Sequence, residues 1–161
     1  MRKDPKYKEM MVISEQETEL FAGDGVSFEM KFHIDLEQTD AEQLEIAFRC
    51  GKEGKTVCLL DFKKAEMHVD RNIADGWSRG RSRSVMDLKG KKELDVHVLS
   101  DQSSLEIFTD DYQNNHSNNI FAGNTQNRIR IRAYSGSAVL RDIETYGLEL
   151  PAGTVGWEGS R

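Results

Sequence analysis

Cysteine, histidine and long apolar runs are scarce in this sequence, and each scarcity excludes a class of chemistry. The two cysteines, Cys50 and Cys58, stand on either side of Gly51-Lys52-Glu53-Gly54, which predicts a hairpin turn. With that turn closed on Cys50 and Lys55, Cys58 falls opposite Ala47. A disulfide needs Cα atoms within about 7 Å, so this offset predicts two buried free thiols, as suits a reducing compartment. The four histidines, His33, His68, His97 and His116, lack the spacing of a zinc site, and the cysteines add no ligand pair. No metal and no cofactor are therefore expected. No glycine cluster has the pattern of a phosphate loop. Ser103-Ser104 lacks the glycine-flanked turn that exposes a nucleophilic serine. No apolar run approaches the about 20 residues that cross a bilayer, so no membrane partner is expected. Met1 to Met10 is charged and has no apolar core of a signal peptide, which makes a cytoplasmic location the expectation. With 22 basic against 28 acidic side chains the net charge is −6, and the basic face that nucleic acid requires is missing.

What is present in quantity is alternation. Val26, Phe28, Met30, Phe32 and Ile34 take turns with Ser27, Glu29, Lys31 and His33. This period of two marks a long strand with one buried face. Leu44, Ile46 and Phe48 repeat it, as do Leu94, Val96 and Val98, then Leu105 and Ile107, then Ile129, Ile131 and Ala133. Thr56 to Phe62 is a continuous apolar-rich run that suits a strand covered on both faces. Ser137 to Leu148 closes the series, and its slipped alternation predicts a bulge. Shorter strands are predicted at Met10–Ser14, Glu17–Phe21, Glu66–Val69 and Asn118–Ala122, while Thr39 to Gln43 has room for one helical turn at most. Many short strands with hairpin-length connections predict an all-β fold, a two-sheet antiparallel sandwich of the jelly-roll, concanavalin A-like type, with a closed barrel as the alternative. The 161 residues suffice for one domain. Residues 1–19 read as an N-terminal arm or edge strand, 20–150 as the sandwich and 151–161 as a Gly-rich tail carrying Trp157.

Two polar stretches are predicted as long loops, which are usually functional or mobile. Asn72 to Ser84 holds Trp77 with Arg79, Arg81 and Arg83; Asp110 to Asn119 holds Tyr112 and His116. Trp77, Arg79, Arg81 and Tyr112 are the candidates for contacts to a sugar or to a protein partner, because aromatics and arginine are enriched at interfaces. Asp110-Asp111 reads as a strand-to-turn transition rather than a cation site. His33 and His97 alternate with core residues and are expected to face solvent. Arg128, Arg130 and Arg132 share one strand face and are expected to pair with carboxylates.

One segment is more specific. Asp101, Ser103, Ser104, Leu105, Glu106, Ile107 and Phe108 follow the aliphatic strand Leu94 to Leu99. This resembles the signature hairpin in the carboxy-terminal β-sandwich of glycoside hydrolase family 32, the family of invertases, levanases, inulinases and sucrose-6-phosphate hydrolases. Thr109-Asp110-Asp111-Tyr112 departs from the family's hydrophobic-Asn-Asp-Gly. Phe28-Glu29-Met30 looks like the family's opening Phe-Glu strand. Asp70-Arg71 looks like its Asp-Arg-Ser, with Asn72 in place of the serine. Read physically, the hairpin is a folding signature: Asp101, Ser103 and Ser104 carry acceptors that stabilise a tight turn. Glu106 faces away from the core, where a cation such as Arg71 is its candidate partner.

The resemblance implies a division of labour. In the family, catalysis belongs to an amino-terminal five-bladed propeller with a nucleophilic aspartate in Asn-Asp-Pro-Asn-Gly, an Arg-Asp-Pro stabiliser and a Glu-Cys general acid. This sequence has no Asn-Asp-Pro and no Glu-Cys. Lys3-Asp4-Pro5 echoes the second motif at a start expected to be disordered, and is read as coincidence. The implied role is a non-catalytic module that packs against the propeller, with a homodimer as a further contact the family allows. The alternative is a stand-alone lectin-like module for fructose-containing saccharides. A third reading is a split enzyme with its propeller on another polypeptide.

Overall fold

A computed structural model describes residues 1–52, 54–71, 80–109, 114–119 and 125–149. Its described residues form twelve strands and no helix. In chain order these are β1 (Arg2–Ile13), β2 (Thr18–Leu20), β3 (Phe28–Asp35), β4 (Gln43–Cys50), β5 (Thr56–Asp61), β6 (Glu66–Asp70), β7 (Arg81–Val85), β8 (Glu93–Ser100), β9 (Ser104–Thr109), β10 (Asn114–Asn119), β11 (Arg128–Tyr134) and β12 (Ala138–Leu148). Sheet one runs β1-β12-β3-β8-β9-β10 and sheet two runs β2-β11-β4-β5-β6-β7. Every pairing is antiparallel. The two sheets stack as a sandwich, and the closed-barrel alternative falls away.

The core follows from the alternation. Phe28, Met30, Phe32 and Ile34 on β3 and Val96 and Val98 on β8 face Leu44, Ile46 and Phe48 on β4, and all are buried. Phe28 and Phe48 stack across the gap with ring centroids 6.2 Å apart. At about 25 cal/mol per Å² of apolar area removed from water, such facing rows are the main stabilising contribution.

Several elements differ from the sequence reading. Of the arm and the edge strand read for the N-terminal segment, the edge strand is present, so Lys3-Asp4-Pro5, expected at a disordered start, lies in β1, beside a bulge between Lys3 and Lys6 where Asp4 takes a φ of 50°. The two polar stretches are not loops throughout. Arg81–Val85 is β7 and Asn114–Asn119 is β10, each the outermost strand of its sheet. The segment with room for a helical turn, Thr39 to Gln43, forms none; the chain turns just before it, where the Thr39 amide donates to the Asp35 carbonyl at 3.0 Å. The β4–β5 register places Cys58 opposite Ile46, one residue from the expected Ala47. The cause is Arg49, which adopts a φ of 52° at an irregularity in the β4–β11 pairing. An extra residue in a strand advances the register by one. Both cysteines are buried and free. Burial pushes the Cys58 thiol up to about 12 and raises that of Cys50. The bulge expected in the last strand is present between Arg141 and Glu144.

Candidate functional site

The signature hairpin is a turn built by one carboxylate. Asp101 Oδ1 accepts from the Ser103 amide at 2.9 Å, the Ser104 amide at 2.8 Å and the Ser104 hydroxyl at 2.9 Å. The Asp101 amide donates to the Ser104 carbonyl at 3.0 Å and closes the turn. These groups satisfy one another locally and leave no nucleophile or general acid poised over a cleft.

Beneath this turn lies a residue that alternation hides. Arg49 is completely buried. Its Nε donates to the Gln126 carbonyl at 2.7 Å, and its Nη1 donates to the carbonyls of Asp101 at 3.0 Å and Gln102 at 3.4 Å. The guanidinium thereby joins sheet two to the β8–β9 turn of sheet one. Burial lowers its pKa, and the negative charges of Asp24 and Asp101 counteract this. A planar fork of five donors is suited to several carbonyls at once.

Glu106 is half-buried on β9, between Leu99 of β8 and Ser117 of β10. It forms no ion pair among the described residues, and Arg71 follows β6 in the opposite sheet. The expected Glu106–Arg71 pair does not form. Asp70 ends β6 opposite Arg81, and the Arg71 amide donates to the Gly80 carbonyl at 3.1 Å. Neither is bonded to Asp101, Ser103, Ser104 or Glu106, so the family-like residues do not converge on one site. Phe108 packs beside His97 at 5.9 Å between centroids. Arg81 Nη2 lies 3.1 Å from His68 Nδ1, and Arg83 pairs with Glu66 at 2.9 Å. Trp77, Arg79, Asp110, Asp111, Tyr112 and Trp157 lie outside the described residues. Arg128 pairs with Glu19 and Arg130 with Glu17, while Arg132 sits over the Tyr134 ring.

The charged cluster that matters to the fold was not visible in the sequence. Glu29 is buried on the outer face of β3 and accepts from Arg2 Nε at 2.5 Å, Arg2 Nη2 at 3.0 Å and His97 Nε2 at 2.6 Å. Burial pushes the Glu29 carboxyl up, but the bonds from Arg2 and His97 outweigh it and hold it below the ordinary range. His97 is therefore not the solvent-facing residue expected. His33, also expected to face solvent, touches Asp95 at 2.5 Å. With Glu93 it brings three potential metal-ligating atoms within 4.8 Å of one another. Strand pairing, not sequence spacing, assembles this group.

The two long sides of the sandwich differ. On one side, His116 of β10 is buried, with Ser82 Oγ at 2.6 Å from Nδ1 and Ser84 Oγ at 2.7 Å from Nε2. Ser82 and Ser84 belong to β7, so the imidazole clasps the edges of both sheets. With both ring nitrogens occupied and no carboxylate bonded to either, this Ser–His contact has the form of a clasp rather than a triad. On the other side, β1 and β2 leave a groove of about 360 Å³ lined by Tyr7, Met11, Leu20, Phe21, Met30 and Ile143, among others. Of these, Tyr7 and Phe21 are exposed, Phe21 to 66%.

Comparison with known proteins agrees with this architecture. The model of the family described as "Glycosyl hydrolases family 32 C terminal" matches residues 1–147. A sucrose-6-phosphate hydrolase of Zymomonas mobilis is 29% identical over 154 residues, which is 92% of this chain and 30% of that protein. The chain thus spans about 30% of the length of the curated relatives it matches. An exo-inulinase from Aspergillus awamori superposes with a TM-score of 0.74 at 17% identity, covering 91% of this chain and 29% of the other. The fructan 1-exohydrolase IIa of Cichorium intybus gives a TM-score of 0.72 at 9% identity, covering 92% and 36%.

Proposed function

This chain belongs to the C-terminal domain family of the family 32 glycosyl hydrolases, and from that premise we propose that it is a non-catalytic sandwich module that packs against and stabilises a catalytic β-propeller domain. The observation that carries the reading is the open β1–β2 side. Tyr7 and Phe21 line the groove there and stay exposed, while the opposite side is closed by His116. Exposed apolar side chains gathered at one place mark an interaction surface. The family supplies the occupant, since its propeller lies in the part of the relatives that this chain does not span.

No catalytic role falls to the chain itself in this account. A retaining glycosidase needs two carboxyls about 5 Å apart beside a substrate cleft. Asp101 is committed to its turn and Glu29 to Arg2 and His97. The test is to produce a family 32 propeller separately and titrate it with this chain, following its hydrolysis of sucrose and its half-life on heating. The expected result is saturable binding and a longer half-life, both weakened at least about tenfold by Phe21→Asp. An unchanged half-life at saturating chain would overturn the proposal. The saccharide-binding alternative is separated by titration with fructo-oligosaccharides, where saturable quenching of indole fluorescence, lost in Trp77→Ala, would replace the module reading with the lectin reading.

A further inference from the structure

We propose that His33, Glu93 and Asp95 form a binding site for a divalent transition-metal ion on the outer face of sheet one. The three residues come from adjacent strands. His33 of β3 stands directly opposite Asp95 of β8, and Glu93 lies opposite Asp35. Residues 93 and 95 are two apart on one strand, so both carboxylates project to the same face as the imidazole. Their ligand atoms lie within 4.8 Å of one another, and His33 Nδ1 already sits 2.5 Å from Asp95 Oδ1.

Metal–ligand bonds of about 2.0–2.2 Å in a tetrahedron set the ligand atoms roughly 3.3 Å apart. The observed cluster brackets that spacing, so side-chain rotation alone makes the three donors facial. The backbone needs no change, because both strands are held in their ladders and Leu94, Val96, Phe32 and Ile34 anchor them in the core. A recess of about 170 Å³ adjoins His33 and Asp95 and leaves room for water in the remaining coordination positions.

The donor set also selects the ion. An imidazole nitrogen with two carboxylates favours zinc and its neighbours, whereas magnesium and calcium prefer oxygen alone. Charges around the site do not oppose a cation. Arg141, opposite His33, is bound to Asp35 at 2.8 Å. Lys31 lines the recess together with Asp142 and Glu144. Binding would replace the hydrogen bond between His33 and Asp95, so any proton on Nδ1 leaves to solvent as the metal enters.

The test is calorimetric titration of the metal-free chain at neutral pH with zinc chloride and, separately, magnesium chloride. Circular dichroism confirms that each variant is folded. The expected result is one saturable zinc site with magnesium at least about tenfold weaker, and a melting temperature that rises with zinc. His33→Ala and Glu93→Gln should each weaken zinc at least about tenfold and abolish the thermal shift. Glu93 is exposed, so its substitution leaves the fold intact and isolates the ligand. Absence of saturable zinc binding, or zinc binding undiminished in Glu93→Gln and His33→Ala, would overturn the proposal.

Discussion

Arg49 occupies a position that alternation assigns to solvent. Leu44, Ile46 and Phe48 point inward, so the next residue should point out, and a charged side chain there attracts no notice. The positive φ at Arg49 turns the guanidinium inward instead, where three carbonyls receive it. Nothing in the local sequence announces a bulge at an arginine; the partner carbonyls at 101, 102 and 126 are remote in the chain. Hydrogen bonds to a charged group each contribute about 1.5–3 kcal/mol. Arg49→Met removes them and takes that donor from three partly buried carbonyls, while also removing a buried charge. The expected net loss is about 2–4 kcal/mol, read as a lower urea midpoint at unchanged slope. His116 makes a second prediction at this scale. Burial lowers its pKa below 6.5, with His68 adding to the effect. The unfolded chain therefore binds a proton more readily than the folded one, so the His116 contribution is whole above pH 6.5 and is lost as pH falls through the folded value. Stability measured from pH 7.5 to 5 should decline more steeply in the wild type than in His116→Gln. Equal slopes would show that the clasp does not titrate.

At the scale of elements, legibility tracked burial. The strands β3, β8, β9 and β11 each cover one face of the core, and hydrophobic side chains wrote their period of two into the sequence. The edge strands β1, β7 and β10 are mostly polar, and pairing to a neighbour shows only in the backbone. Arg2 to Glu9 therefore read as an arm or an edge strand without a choice between them, and Asn114 to Asn119 as a loop. Lys3, Pro5, Lys6 and Lys8 instead mark a guarded sheet edge, since lysine, proline and bulges discourage further strand addition. The family-like hairpin was legible as a turn, because aspartate followed by two serines has a local mechanism. That Glu106 does not pair with Arg71 was not legible, because sheet assignment decides who can reach whom. Two substitutions separate these roles. Asp101→Ala removes the acceptor of three hydrogen bonds at an exposed turn and should cost about 1–2 kcal/mol. Glu106→Ala, with no ion pair among the described residues, should change stability by only about 0.5 kcal/mol. Chemical denaturation of both variants checks the order, and a larger loss at Glu106 would contradict it. Arg2→Ala should also raise amide exchange across β1, because β1 loses its tie to the buried Glu29.

Among the described residues the sandwich has one closed side and one open side, and the functional reading rests on that asymmetry. The fold was legible from pattern, the family from a short hairpin, and the open side from neither. Its exposed apolar residues Tyr7 and Phe21 stand in segments whose place in the sandwich the sequence does not disclose. Their meeting depends on β1 and β2 ending different sheets on the same side. Hydrogen–deuterium exchange of the chain, alone and saturated with a separately produced family 32 propeller, tests the account most directly. Protection confined to residues 2–13 and 18–21, with the β7–β10 side unchanged, is the result predicted. Protection on the β7–β10 side with β1 and β2 unaffected, or no protection anywhere at saturating propeller, would contradict it.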